Sequence, residues 1–163
     1  MTDTPATDAP ASAITPDAFL AHWQGHRRLT RRVIAAFPAD EFTTRSIGGM
    51  RPFSALASEL LGMAVPTARG VLTGEWAKSN VGTATTQEEI LNAWDGDTAE
   101  LNRIVPQIPA ARFHDTVTAF GQWTMPVHDL FLYVVDNEVH HRGQGYVYLR
   151  ALGIEPPPFY DRS

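Results

Sequence analysis

Apolar residues recur every three or four positions in four long segments of the chain, and this period constrains the fold more than any other feature. A helix with this spacing carries its apolar side chains on one stripe, which must be buried against another element. Four such stripes with little strand signal predict an all-α fold, a four-helix bundle. The predicted helices run from Pro16 to about Phe37, from about Pro52 to Leu72, from Thr86 to about Ile108, and from about Pro126 to Leu152.

Local signals mark the ends of these helices. Thr86 and Glu89 have the spacing of a capping box at the start of the third helix. Gly74 and Gly153 follow the second and fourth helices as end signals. Pro66 lies inside the second helix, where we expect a kink or a break.

Two further segments complete the predicted organisation. Residues 110–124 alternate apolar and polar side chains, which indicates a short hairpin before the last helix. Residues 1–15 are rich in Thr, Pro and Ala, and we expect a disordered N-terminal tail there. Residues 16–163 are then one bundle domain.

Composition excludes several classes of protein. The chain has 163 residues and a formal net charge of −5, which disfavours binding to nucleic acid or to an anionic membrane surface. It has no cysteine, so a disulfide framework and a thiolate metal site are excluded. No apolar run is long enough to span a membrane, and we expect residues 1–16, which have no Lys, Arg or apolar run, not to be a secretory signal. We expect a cytoplasmic protein.

The apolar stripe of the last helix is interrupted at its middle by polar residues, which are Asn137, Glu138 and His141. Glu59 borders the stripe of the second helix in the same way. Burying such groups without partners costs several kcal/mol in total, roughly 1–3 kcal/mol for each group. A hydrogen-bond network, ordered water or a metal ion must therefore compensate.

Glu59, Asn137 and His141 are the candidate metal ligands. Asn137 and His141 are four residues apart, so both side chains can reach one ion from a single helix. Glu59 would supply a third ligand and leave positions open for water or substrate. The alternative is a histidine held in the core by hydrogen bonds alone.

Other polar residues favour structural roles. His22 and His26 also have the spacing of a metal-binding pair, but no third ligand accompanies them. Glu138 can form an ion pair with Arg142 one turn later. A basic group on the first helix is expected to be a solvated face; it consists of Arg27, Arg28, Arg31 and Arg32. His114, His128 and His140 are expected to be structural or exposed.

Two stretches of the sequence resemble the DinB/YfiT-like family of metalloenzymes, whose fold is a four-helix bundle. The first is VVDNEVHHRGQGYVYLRALGIEPPPFYD, in which HHRGQ spans His140 to Gln144. The second is MRPFSALASELLGMAVPTARGVLTGEW, from Met50 to Trp76. The resemblance extends from Pro16 to Tyr160.

The resemblance implies a divalent ion bound by three histidines, one on the second helix and two on the last. In this sequence those positions are Glu59, Asn137 and His141, so two of the three histidines are replaced. This set is harder and weaker than three imidazoles. Either it binds Mn²⁺, Ni²⁺ or Zn²⁺ weakly, or it forms a hydrogen-bond network without an ion.

The resemblance also implies two kinds of function. One is a metal-dependent hydrolase or thiol-dependent transferase with a remodelled site, in which a low-molecular-weight thiol is a partner. The other is a non-catalytic, stress-related protein that binds a small molecule or only dimerises. Family members often dimerise through the bundle helices, which makes a homodimer the expected assembly.

Overall fold

A computed structural model describes residues 14–77 and 85–163. The described residues form five α-helices, and four of them build the predicted bundle. The helices are α1 (Pro16–Ala36), α2 (Ala39–Thr44), α3 (Phe53–Thr73), α4 (Gln87–Ile104) and α5 (Val127–Ala151). The predicted tail lies outside the described residues except for its last two positions.

The bundle places α5 beside both α1 and α3, and α4 closes the other side against the same two helices. This confirms the all-α prediction. The short helix α2 was not predicted, because only one of its side chains, Phe42, is buried and six residues are too few to show a helical period. It packs on α3 through rings that stand edge to face, with the centroids of Phe42 and Phe53 6.0 Å apart.

The predicted start of α4 and the predicted ends of α3 and α5 are confirmed, whereas α4 ends at Ile104, before the predicted Ile108, because Val105–Gln107 forms a 3₁₀ helix. The Thr86 side chain accepts a hydrogen bond from the backbone N–H of Glu89, and the Glu89 carboxylate accepts one from Thr86 N–H, which completes the capping box. Gly74 and Gly153 have φ angles of 79° and 74°, the left-handed conformation that ends a helix. The helix α3 continues through Pro66, so a break, one of the two alternatives predicted there, was wrong.

A two-stranded hairpin precedes α5, as predicted. Strand β1 (Thr116–Ala119) pairs antiparallel with β2 (Trp123–Pro126), and Ala119 lies opposite Trp123. Phe120 and Gly121 turn the chain with φ angles of 52° and 69°. Two short 3₁₀ helices, Val105–Gln107 and Ala110–His114, join α4 to this hairpin.

A layer of buried polar residues separates two apolar clusters in the core. Along α1, Trp23 belongs to the first cluster and Val33 to the second, and the residues between them include buried polar side chains. Along α5, Val135 belongs to the first cluster and Tyr148 to the second, and buried polar side chains again lie between them. The buried polar residues of this layer are Gln24, His26, Arg27, Thr30, Glu138, His141 and Arg142.

Candidate functional site

The three candidate ligands meet between α3 and α5. Oε1 of Glu59 lies 3.0 Å from Nε2 of His141 and 3.4 Å from Nδ2 of Asn137. His141 is buried with 6 % of its surface exposed, whereas a third of the Glu59 side chain is accessible to solvent. The sequence therefore predicted correctly which side chains converge, and α3 and α5 bring them together without a contribution from a loop.

Two further residues, which sequence reasoning missed, hold this cluster in place. Nη2 of Arg51 donates a hydrogen bond to Oε2 of Glu59 at 2.6 Å, and the side-chain amide of Gln144 lies 2.9 Å from Nδ1 of His141. Arg51 precedes α3 and is eight residues from Glu59, a separation that a helical pattern does not pair. Gln144 is three residues beyond His141, and this i,i+3 spacing is the sequence signal that could have identified it as a partner.

The electrostatics of Glu59 favour the ionised carboxylate. Partial burial by itself raises the pKa of Glu59, but hydrogen bonds from Arg51 and His141 outweigh it and lower the pKa below the usual value. Because a carboxylate only accepts hydrogen bonds, Nε2 of His141 carries the proton in their contact. Both ring nitrogens of His141 are therefore engaged by protein side chains.

These residues do not fit a resident divalent ion. The guanidinium of Arg51 is bound to the only carboxylate of the set and would repel a cation there. The imidazole nitrogen that faces Glu59 is a hydrogen-bond donor, whereas a metal ligand must present a lone pair. Among residues 14–77 and 85–163, no group of three His, Asp, Glu or Cys side chains could hold a metal ion.

An apolar groove of about 370 Å³ lies beside this polar cluster, between α3, α5 and the hairpin. Met63 belongs to both, because its side chain lines the groove and its Sδ lies 3.1 Å from Nδ2 of Asn137. Val134, one turn before Asn137 on α5, also lines the groove. The hairpin contributes Phe120, Trp123 and Met125 to the lining of the groove.

Glu138 lies on the opposite side of α5 and belongs to the buried polar layer. Its Oε1 accepts a hydrogen bond from Thr30 at 2.6 Å and lies 4.0 Å from Nη1 of Arg142, which forms the i,i+4 ion pair predicted as its structural role. Burial raises the pKa of Glu138, and the charges of Arg27 and Arg142 oppose that effect. Among the residues that the structure describes, no hydrogen bond or ion pair links Glu138 to the Glu59 cluster.

The expectation of a solvated basic face on α1 was wrong for Arg27. This side chain is only 1 % exposed, and its guanidinium lies 4.0 Å from the ring centroid of Trp94. It donates to Thr98 Oγ1 at 2.9 Å and to the Trp94 carbonyl at 3.1 Å. Arg31 does fit the expectation, since it forms an exposed ion pair with Asp95.

The pair of histidines on α1 does not have the chemistry of a metal site. Nδ1 of His26 accepts a hydrogen bond from Arg142 at 3.0 Å, so the neutral imidazole carries its proton on Nε2. That nitrogen lies 3.1 Å from Nε2 of His22 and donates to it. Burial, together with the charges of Arg142 and Arg162, lowers the pKa of His26 to about 3.

The remaining histidines have the structural or exposed positions expected of them. His140 is exposed and packs edge to face with the His141 ring. Nδ1 of His128 donates to the Phe113 carbonyl at 3.0 Å. The rings of His114 and His128 are 6.2 Å apart.

Comparison with known proteins decides the family. The family model described as "DinB family" matches residues 8–163, which is nearly the whole chain. The chain belongs to the DinB family. Its assignment agrees with the sequence resemblance and with the bundle described above. No curated protein matches this DinB-family chain.

Two solved structures share the DinB fold with this chain. A DinB-like protein from Bacillus cereus superposes with a TM-score of 0.74 at 17% identity, covering 91% of this chain and 100% of the other. A DinB-like protein from Bacillus subtilis gives 0.71 at 20% identity, with coverage of 88% and 96%. At these identities the likeness establishes the fold alone. Within the described residues of this DinB-family chain, no helix is long and apolar enough to cross a membrane.

Proposed function

We propose that this DinB-family chain binds a small molecule in the groove between α3, α5 and the hairpin, and that it does so without a resident divalent ion. The observation that carries this proposal is an apolar groove that adjoins the Glu59 cluster at Met63, which lines the groove and contacts Asn137. Small-molecule sites typically combine a mostly apolar cleft of this size with a few polar groups at one end.

The polar cluster supports binding by rigidity. Arg51, Glu59, His141 and Gln144 form one chain of hydrogen bonds, with distances between 2.6 and 3.0 Å. A network whose members are all paired holds its side chains in one arrangement, and a site held in advance loses less entropy when a ligand binds. The cluster would therefore be a fixed polar group of side chains beside the groove.

A metal-dependent hydrolase or a thiol-dependent transferase is the second candidate function. Both need an ion to activate water or a thiol as the nucleophile. The ion pair between Arg51 and Glu59 speaks against such an ion, because the cation would have to displace the guanidinium. Ligand binding is therefore the better supported function, and the metal content of the purified protein distinguishes it from metal-dependent catalysis.

A homodimer through α5 is a further part of the proposal. Leu132, Val139 and Val147 are exposed and recur after seven and eight residues, so they share one outward face of the helix. An exposed apolar stripe of this kind is typical of a helix that packs against a partner. Val139→Glu should lower the molar mass measured by light scattering from that of a dimer to that of a monomer. A monomeric mass for the unaltered chain would contradict the proposal.

The binding proposal is tested by screening a fragment collection against the full chain and following the methyl resonances of Met63 and Met125. Gly62→Leu fills the groove, since a Cβ at Gly62 meets no atom within 4 Å. Gly96→Leu is the matched control, because it makes the same change at an open position on α4. We expect fragments that shift both methyl groups and lose affinity only in Gly62→Leu. No such fragment would refute the proposal.

A further inference from the structure

Phe120 has a backbone conformation that aromatic residues rarely adopt. Within residues 14–77 and 85–163 it is the only residue other than glycine with a positive φ, at 52°, and Gly121 follows it with 69°. The backbone N–H of Gln122 donates to the Ala119 carbonyl at 3.0 Å, which closes a tight turn around these two residues. Turns with a positive φ at both central positions favour Asn-Gly or Gly-Gly. A phenylalanine at the first of these positions is therefore unfavourable for the local backbone.

The ring of Phe120 makes the contacts that compensate this conformation. Its centroid lies 5.3 Å from that of Trp76 and 6.3 Å from that of Trp123, and both pairs stand edge to face. The ring also packs against the first apolar cluster, to which Trp23 belongs. Edge-to-face pairs are favourable beyond the area that they bury. Tertiary contacts of the ring therefore hold the strained turn in place.

Trp76 is itself supported by the bare backbone of α3. A Cβ added at Gly70 would overlap the Trp76 ring, so this ring lies directly on the helix. Among the described residues, the lining of the groove includes Phe120 but neither Trp76 nor Gly70. The contacts thus run from α3 through Trp76 to Phe120, and they fix Phe120 in the wall of the groove.

The space beside Phe120 suits an uncharged molecule. None of the described residues that line the groove carries a charge, and most of them are apolar. A charged group moved into such a groove would lose its hydration without gaining a counter-charge. The lining therefore favours an uncharged, apolar ligand.

We propose that Phe120 determines which ligands the groove admits, and that its ring limits the size of the uncharged, apolar molecule that binds there. The unfavourable turn is retained because Asn and Gly, which suit it better, have no ring to place in the groove. This inference rests on the proposed function and adds the class of the ligand and the residue that selects its size. Phe120 contacts the ligand, whereas Trp76 and Gly70 are positioning residues.

The test measures how alcohols of increasing length compete with the uncharged dye N-phenyl-1-naphthylamine for the full chain. The probes are the straight-chain alcohols from 1-hexanol to 1-dodecanol. Each methylene that is buried should raise the affinity about fourfold, until the alcohol fills the groove. We call the chain length at which this gain stops the length limit. A gain that continues through the whole series in the unaltered chain would overturn the proposal.

Phe120→Asn removes the ring and places the favoured Asn-Gly pair in the turn. The length limit should then move to longer alcohols, so that the first alcohol beyond the original limit gains about fourfold in affinity over the one before it. Phe120→Gly, which also suits the turn, should show the same shift. Gln122→Ala is the matched control, because Gln122 is exposed in the same turn and is not among the lining residues. It should leave the length limit unchanged.

Gly70→Ala tests the support behind Phe120. The added Cβ must displace the Trp76 ring, so the length limit should move although no lining residue has been changed. Gly96→Ala, at an open position on α4, should keep the original limit. A merely structural role of Gly70 would weaken the binding of all alcohols by the same factor. An unchanged limit in Gly70→Ala would therefore overturn the positioning role of Trp76.

The outcomes separate this inference from the proposed function. If the length limit is the same in the unaltered chain, Phe120→Asn and Phe120→Gly, then Phe120 does not select ligand size and the inference is wrong. If binding is nevertheless lost in Gly62→Leu, the groove remains a binding site and the proposed function stands. If no alcohol displaces the dye and no fragment shifts the methyl resonances of Met63 and Met125, both proposals are wrong.

Discussion

The close packing beneath His141 leads to a prediction about Gly145, one turn further along α5. A Cβ added there would lie 2.7 Å from two ring carbons of Phe53 and 3.0 Å from Cγ1 of Val33. The Phe53 ring cannot move aside easily, because it is fully buried and stacks on Phe37 with centroids 4.9 Å apart. Gly145→Ala should therefore strain the contact between α5 and both α1 and α3.

Gly143→Ala provides the matched control on the same helix. A Cβ at Gly143 meets no atom within 4 Å. Replacing Gly by Ala in a helix interior stabilises by about 1 kcal/mol, and this gain applies to both variants. Overpacking opposes it at Gly145 by about 1–3 kcal/mol. Gly143→Ala should therefore be the more stable of the two by about 1–3 kcal/mol in free energy of unfolding.

Urea denaturation of the two variants measures this difference directly. A domain of this size loses about 2–4 °C in Tm per kcal/mol, so thermal unfolding should separate the variants by several degrees. The unaltered chain should fall between them, or close to Gly145→Ala at the lower end of the overpacking cost. Equal stabilities, or a more stable Gly145→Ala, would refute the packing argument.

Three more predictions concern charged side chains. Arg27→Met should destabilise the fold by about 3 kcal/mol or more in urea denaturation, since it removes buried charged hydrogen bonds to Thr98 and the Trp94 carbonyl and a positive charge that favours the ionised form of buried Glu138. Arg31→Met, which removes an exposed ion pair, should cost less than about 1 kcal/mol. His26 has a folded-state pKa of about 3 and an unfolded value near 6.5, so the unfolded state binds more protons between these values and stability falls as the pH drops through that window. In His26→Gln the free energy of unfolding should depend less on pH in this window. An unchanged slope of the free energy of unfolding against pH would contradict the role given to His26. Arg51→Ala removes the cation beside Glu59, so Mn²⁺, Ni²⁺ or Zn²⁺ should raise the Tm of this variant more than that of the unaltered chain; equal shifts would contradict the role given to Arg51.

The helices and the convergence of the site could be predicted because their signals are local or periodic. The capping box of Thr86 and Glu89 lies within four residues, and the spacing of Asn137 and His141 fixes their shared face. Glu59 borders the apolar stripe of the second helix, and the resemblance to the family implies the same position for the third ligand. These inferences need no knowledge of how distant segments pack.

The partners of the site could not be predicted because they depend on tertiary packing. Arg27 belongs to a group of arginines on the first helix that was expected to face solvent. The Trp94 ring and the Thr98 hydroxyl of α4 instead contact its buried guanidinium. Arg51 reaches Glu59 from the segment before α3, and no periodicity relates the two. Only the folded chain shows that the candidate ligands are already bound to one another.

Elemental analysis of the purified, untagged protein tests the central claim most directly, with Glu59→Ala and His141→Ala measured in parallel. The account predicts no stoichiometric divalent metal, even after incubation with excess Mn²⁺, Ni²⁺ or Zn²⁺ and removal of unbound ions. One divalent ion per chain, lost in both variants, would contradict it and would make the metal-dependent activity the better proposal.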